Sequence, residues 1–94
     1  MLMSSAIDNF NRLGYEDRLE LLNEFGVVVV TYMDGVCSVA IWELTNEYVR
    51  VYTNPRVNQN KPTLITMLTY KQLTDVLTKL NIDLKHITNG RRNR

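Results

Sequence analysis

The sequence predicts a small α+β domain in which helices flank a three-stranded antiparallel β-meander with a possible fourth strand. Residues 27–53 are rich in β-branched and aromatic residues, and turn signals divide them at Asp34-Gly35 and Thr45-Asn46. On both sides of this stretch, apolar residues recur at helical spacing. A chain of 94 residues with an apolar fraction of 45% is of ordinary size and composition for one globular domain.

The N-terminal helical region begins at a Ser4 or Ser5 cap and ends at Gly26. Gly14 interrupts its apolar stripe, which predicts either a kinked helix or two helices that meet there. The stripe consists of Ile7, Phe10, Leu13, Tyr15, Leu19, Leu22 and Phe25. Because these residues lie on one side, we expect that side to pack on the sheet.

The first hairpin is predicted to turn at a two-residue loop, Asp34-Gly35, so that Met33 pairs with Val36. One face of this hairpin is almost wholly apolar and is expected to meet the helices; it carries Val28, Val30, Tyr32, Cys37, Val39 and Ile41. The opposite face includes Val27, Val29 and Trp42, which is more apolar surface than solvent normally contacts. It therefore needs either a helix or a second subunit.

The third strand is predicted at residues 48–53, and its register depends on the length of the preceding loop. Burying Arg50 without a partner is costly, so we expect Val49 and Val51 to face the helices. Trp42 would then share an open face with Tyr48, Arg50 and Tyr52.

The C-terminal part contains a polar loop at residues 54–62, followed by residues 63–68 as a short fourth strand or an extended lead-in. The final helix has a clear start, because Thr69-Tyr-Lys-Gln72 is a capping box. Asn81 is a candidate left-handed cap at its end. Ile82, Leu84 and Ile87 extend the apolar pattern.

The predicted domain spans residues 1–87, and residues 88–94 form a basic, flexible tail. The net charge of +1 is unevenly divided, with −6 in residues 1–47 and +7 in residues 48–94. This asymmetry fits two halves that attract each other within the fold or across a dimer, or an acidic partner for the basic half.

No catalytic, cofactor-binding or metal-binding signature is present in the sequence, so we expect no enzymatic activity and no cofactor. His86 is the single histidine, and no nucleophile or carboxylate pair is placed beside it. Cys37 is the single cysteine and is interpreted as a small apolar residue within a strand. The sequence has no apolar run long enough to cross a bilayer and no signal peptide, which predicts a cytoplasmic protein with no membrane partner.

The leading functional hypothesis is a small non-enzymatic protein-interaction module, an adaptor, inhibitor or chaperone-like accessory protein, that forms a homodimer through its open sheet face and binds a further protein. The predicted interaction surface consists of Val27, Val29, Trp42, Tyr48, Arg50 and Tyr52. The alternative is a single-stranded nucleic-acid-binding protein that stacks bases on the same aromatic face. In that case the phosphates would contact Arg56, Lys61, Arg91, Arg92 and Arg94.

Overall fold

The computed structural model describes residues 5–57 and 61–82, which form an α+β fold with helices at both ends and a four-stranded antiparallel sheet between them. The elements are α1 (Ser5–Arg12), α2 (Tyr15–Phe25), β1 (Val27–Asp34), β2 (Cys37–Leu44), β3 (Glu47–Thr53), β4 (Leu64–Leu68) and α3 (Tyr70–Lys79). The predicted fold class is confirmed. Of the alternatives left open, the structure has two N-terminal helices that meet at Gly14, and residues 64–68 are a fourth strand.

The strands follow one another in the sheet as β1-β2-β3-β4, and helices pack on both faces. One face, called here the Trp42 face, packs against α1 and α2; its residues are Trp42, Leu44, Val49, Val51, Ile65 and Met67. The other face, called the Arg50 face, packs against α3; its residues include Val30, Tyr32, Ile41, Tyr48, Arg50, Tyr52 and Leu68. The apolar surplus seen in the sequence is therefore explained in large part by a second helical layer.

Helix α3 begins and ends as the sequence predicts. The Thr69 hydroxyl accepts a hydrogen bond from the Gln72 backbone N–H at 3.1 Å, and the Gln72 side chain accepts one from the Thr69 N–H at 2.8 Å. At the other end, Asn81 adopts a left-handed φ of 62°, and the Ile82 N–H donates to the Leu77 carbonyl at 2.8 Å. These contacts form a capping box and a Schellman motif, which satisfy backbone groups that the helix itself leaves unpaired.

The predicted register of the first hairpin is wrong, because Met33 pairs with Ser38 and not with Val36. Asp34 pairs with Cys37, so the two-residue loop is Gly35-Val36 and not Asp34-Gly35. Gly35 has a φ of 63° at the first loop position, which is where a tight hairpin turn needs glycine when the second residue is β-branched. The shift preserves the separation of the faces beside the turn, because it moves each pair by an even number of residues.

The second hairpin fixes the register of β3, and with it the faces of Trp42 and Arg50. Its loop is Thr45-Asn46, with φ values of 49° and 68°, and both positive values are those that a type I′ turn requires. Trp42 consequently pairs with Val49, and Ile41 pairs with Arg50. Val49 and Val51 face α1 and α2 as expected, but the prediction that Trp42 shares a face with Arg50 is wrong.

We expect Thr45→Asn to raise the free energy of unfolding by about 0.5 to 1 kcal/mol, because a β-branched residue is strained at positive φ whereas asparagine tolerates it. Urea denaturation followed by circular dichroism measures the change. Thr53→Asn is the control, since Thr53 lies within β3 and the same exchange there should not stabilise. A destabilised Thr45→Asn variant would contradict the assignment of strain to this turn.

Several predictions concern residues outside the described ranges. They are the packing contributions of Leu84 and Ile87, the environment of His86, and the basic tail at residues 88–94. Ile82 is described, and it packs against the cluster beneath α3.

Candidate functional site

The residues of the predicted interaction surface do not lie together. Trp42 is half-buried against α1 and α2, whereas Tyr48, Arg50 and Tyr52 are on the opposite face. Val27 and Val29 lie on the Arg50 face, because Val27 pairs with Glu43, which pairs with Tyr48, and Val29 packs against the cluster beneath α3; a β-bulge separates the two in β1, where the register shifts between Val28 and Val30. Among the predicted phosphate contacts, Arg56 and Lys61 are exposed, while Arg91, Arg92 and Arg94 lie outside the described residues. The structure thus places Trp42 on one face and the other five residues of the predicted interaction surface on the opposite face.

The outer edge of β4 is closed by side chains from the N-terminal helices. The Asn11 side-chain amide accepts a hydrogen bond from the Met67 N–H at 3.0 Å and donates to the Met67 carbonyl at 3.4 Å. The Arg18 guanidinium donates to the Ile65 carbonyl and also to the carbonyls of Leu13 and Asn11. These side chains occupy the positions that a fifth strand would use, so β4 cannot extend the sheet while they remain in place.

Among the described residues, the outer edge of β1 is not covered in this way. Within residues 5–57 and 61–82, no side chain of α1, α2 or α3 hydrogen-bonds to the main chain of Val30–Asp34. The sequence of β1, Val-Val-Val-Val-Thr-Tyr-Met-Asp, contains none of the Lys, Arg or Pro residues that commonly protect an edge strand. The bulge near Val28 interrupts one end, so Val30–Asp34 remains as a regular strand whose outer side pairs with no other described strand.

Apolar side chains surround this free edge. Met33 is 65% exposed, Val36 is 44% exposed and Val28 is 43% exposed. Phe25, at the end of α2, is 60% exposed beside the start of β1. Exposed apolar residues grouped beside unpaired strand backbone are typical of surfaces that associate with another chain.

A second feature is polar and lies on the Arg50 face. The Arg50 guanidinium stands 5.3 Å from the centre of the Tyr52 ring, and the Tyr52 hydroxyl donates to the Asp34 carboxylate at 3.1 Å. Burial raises the pKa of the Tyr32 phenol above its usual value, although the charge of Arg50 opposes the change. The pKa of Tyr52 is also raised, by burial first and then by Asp34, again against Arg50. Both phenols are therefore protonated near neutral pH, and Tyr52 already donates its proton to Asp34.

The described residues give no sign of metal or membrane chemistry. No group of three or more His, Cys, Asp or Glu side chains within them is arranged to hold a metal ion. None of the helices that the structure describes is long and apolar enough to cross a membrane.

The Trp42 indole N–H is buried and has no hydrogen-bond partner in the described part of the chain.

In the part of the chain that the structure describes, the fold is a small α+β meander whose sheet has one edge closed by helix side chains and one edge without such cover. No protein-family model, no curated protein and no solved structure matches this chain. The β1 edge and the polar cluster on the Arg50 face are the features that bear on function.

Asn11 and Arg18, the two residues that close β4, are not among the functional residues predicted from the sequence. Arg18 lies three residues after Tyr15 and four before Leu22, so it falls on the apolar stripe of α2. Its position was the signal that could have identified Arg18, because a charged side chain on the buried side of a helix requires hydrogen-bond or ionic partners. The role of Asn11 has no comparable signal, since a polar residue between Phe10 and Arg12 is ordinary on a helix.

Proposed function

We propose that this protein is a non-enzymatic interaction module that self-associates through the outer edge of β1. The observation that supports the proposal is the contrast between the two edges of the sheet: β4 is covered by Asn11 and Arg18, while β1 has exposed apolar residues and an outer side that pairs with no other strand of the described ranges. Because helices pack on both faces of the sheet, the homodimer expected from the sequence forms more readily through an edge of the sheet than through a face.

The geometry of the first hairpin indicates which backbone groups are available. Residues that flank a two-residue loop form a hydrogen-bonded pair, and such pairs alternate along an antiparallel ladder. Asp34 flanks the loop opposite Cys37, so Asp34, Tyr32 and Val30 direct their N–H and C=O groups toward β2. The corresponding groups of Thr31 and Met33 point away from the sheet.

A second copy of the chain fits this edge by symmetry. Two β1 strands that pair antiparallel form an isologous contact, in which each strand presents the same unpaired groups to the other. The pairing would join two four-stranded sheets into one of eight strands and cover Met33 of both copies. No Lys or Arg lies in β1 to repel its counterpart, and the acidic Asp34 lies at the end of the strand.

We expect Thr31→Pro to convert the dimer to a monomer, because proline removes an outward N–H without removing a bond to β2. Analytical ultracentrifugation of the wild type should give twice the chain mass of 11.0 kDa, and the variant should give the chain mass. The circular dichroism spectrum should remain that of the folded protein.

Thr31→Val is the matched control, because it keeps the N–H and the branched side chain and should remain dimeric. Met33→Lys provides a second variant that places like charges across the proposed contact and should weaken association. A wild type that sediments as a monomer at high concentration, or a folded Thr31→Pro variant that remains dimeric, would refute the proposal.

The nucleic-acid alternative depended on aromatic and basic residues gathered on one open face. The described residues do not gather there, because Trp42 is on the face opposite Arg50 and Tyr52. No observation in the described ranges favours this function over self-association. Titration with a fluorescent single-stranded oligonucleotide at low and moderate salt is nevertheless a direct test, since phosphate binding weakens steeply with salt.

A further inference from the structure

A cavity of about 240 Å³ lies between the Arg50 face and the C-terminal half of α3. Its polar lining consists of Tyr32, Asp34, Arg50, Tyr52 and Lys79. The apolar part of the wall comes from Met33, from Val76 of α3 and from Leu80, the residue that follows α3. This cavity is distinct from the outer edge of β1, although Tyr32, Met33 and Asp34 of that strand contribute to it.

The charges in the lining do not cancel. Arg50 and Lys79 are cationic, and Asp34 is the one carboxylate among the lining residues. The hydrogen bond to Asp34 comes from Tyr52, and the ion pair found in the described ranges is Lys71 with Asp75, both highly exposed. The formal charges of the described lining residues therefore sum to +1 at neutral pH.

Arg50 is also held in place before any ligand arrives. It comes from β3, an internal strand, and its guanidinium lies against the Tyr52 ring. Its Nε atom is buried and has no hydrogen-bond partner among residues 5–57 and 61–82. An ordered guanidinium loses little conformational freedom on binding, and its planar donors match carboxylate and phosphate oxygens in pairs.

We propose that this cavity binds a small oxyanion, the carboxylate or phosphate group of a compact ligand, through Arg50 with Lys79 as the second cation. The phenol of Tyr32 supplies a neutral donor to the same group. The volume is below the roughly 300 Å³ at which cavities begin to hold drug-sized molecules, so the ligand has few atoms besides the anionic group. Val76 and Leu80 accommodate a short aliphatic part.

The proposal is tested with the full chain labelled with ¹⁵N, titrated separately with inorganic phosphate and with propionate while chloride keeps the ionic strength constant. We expect the Arg50 Nε–Hε resonance to shift and saturate with at least one probe. Arg50→Gln should weaken binding at least about tenfold, because a charge-assisted pair of hydrogen bonds is lost. Lys79→Gln should weaken it about threefold, as expected for an exposed charge.

Lys71→Gln is the matched control, because Lys71 is exposed on the first turn of α3 and contributes nothing to the cavity. It should bind both probes as the wild type does. Saturation by phosphate alone assigns a phosphate ligand, and saturation by propionate assigns a carboxylate ligand. Absence of saturable shifts with both probes, or equal weakening by Lys71→Gln and Lys79→Gln, would overturn the proposal.

The exposed Lys79 variant keeps the test decisive if Arg50→Gln does not fold. The result of the oxyanion titration is also independent of whether the protein self-associates through β1. Thr31→Pro alters the edge of β1 and leaves every polar residue of the cavity lining unchanged, so a monomeric Thr31→Pro variant should still bind the probe.

Discussion

Arg18→Met should lower the free energy of unfolding by about 3 to 5 kcal/mol, the largest effect that we expect from a single polar residue in this protein. The guanidinium donates to the carbonyls of Leu13, Asn11 and Ile65, and hydrogen bonds from charged groups contribute about 1.5 to 3 kcal/mol each without being additive. The variant leaves three part-buried carbonyls without this donor. Urea denaturation monitored by circular dichroism measures the loss.

Two comparisons separate this network from a general effect of charge. Arg12→Met removes an exposed arginine from the last turn of α1 and should cost less than about 1 kcal/mol. Arg18→Lys keeps the charge but loses the planar arrangement of donors, so it should recover only part of the stability. An Arg18→Met variant within 1 kcal/mol of the wild type would show that the guanidinium is not essential to the closed edge.

Gly26→Ala is expected to destabilise the protein by about 2 to 3 kcal/mol through steric overlap. A Cβ atom at this position would lie 2.7 Å from the Leu22 carbonyl oxygen and 2.7 Å from Cε3 of Trp42. The carbonyl cannot move away freely, because it accepts the Gly26 N–H at 2.8 Å and ends α2. Thermal and urea denaturation should both report the loss.

Gly14→Ala is the matched comparison, since a Cβ atom there has no neighbour within 4 Å and φ is −69°. Alanine restricts the unfolded chain more than glycine does, which stabilises the folded protein by about 0.4 to 1 kcal/mol. Alanine is also a poorer N-cap than glycine, which opposes this gain. The two effects should leave Gly14→Ala within about 0.5 kcal/mol of the wild type. Equal stability of the two alanine variants would contradict the close contact between Gly26 and Trp42.

The sequence correctly predicts that α2 ends at Gly26, but it does not predict why glycine is required there. Glycine after the apolar stripe correctly marks the end of α2. Its φ is −85°, so it is not the left-handed residue that commonly ends a helix. The structure indicates close approach instead, because the ring of Trp42 and the last turn of α2 leave no room for a side chain.

The proposed self-association of this protein depends on the same N-terminal helices, α1 and α2. Asn11 and Arg18 close β4, so a strand added to the sheet is directed to β1. We therefore expect that substitutions at Arg18 affect stability first, and that a variant with β4 uncovered acquires a second edge able to pair with other chains. The two edges can be compared directly by sedimentation of Arg18→Met and Thr31→Pro under folding conditions.

The helices, the strands and their order could be predicted from the sequence alone. Apolar periodicity together with Gly14 and Gly26 locates the N-terminal helices, Gly35 locates the first turn to within one residue, and the capping box marks the start of α3, because all of these signals depend on neighbours within four residues. Tertiary contacts were needed to establish which face each strand residue occupies and which edge of the described sheet is covered. Two positive φ values at Thr45-Asn46 placed Trp42 and Arg50 on opposite faces, since one residue of slip reverses a strand. Arg18 acquires its role only when distant segments meet, as Ile65 is 47 residues away along the chain.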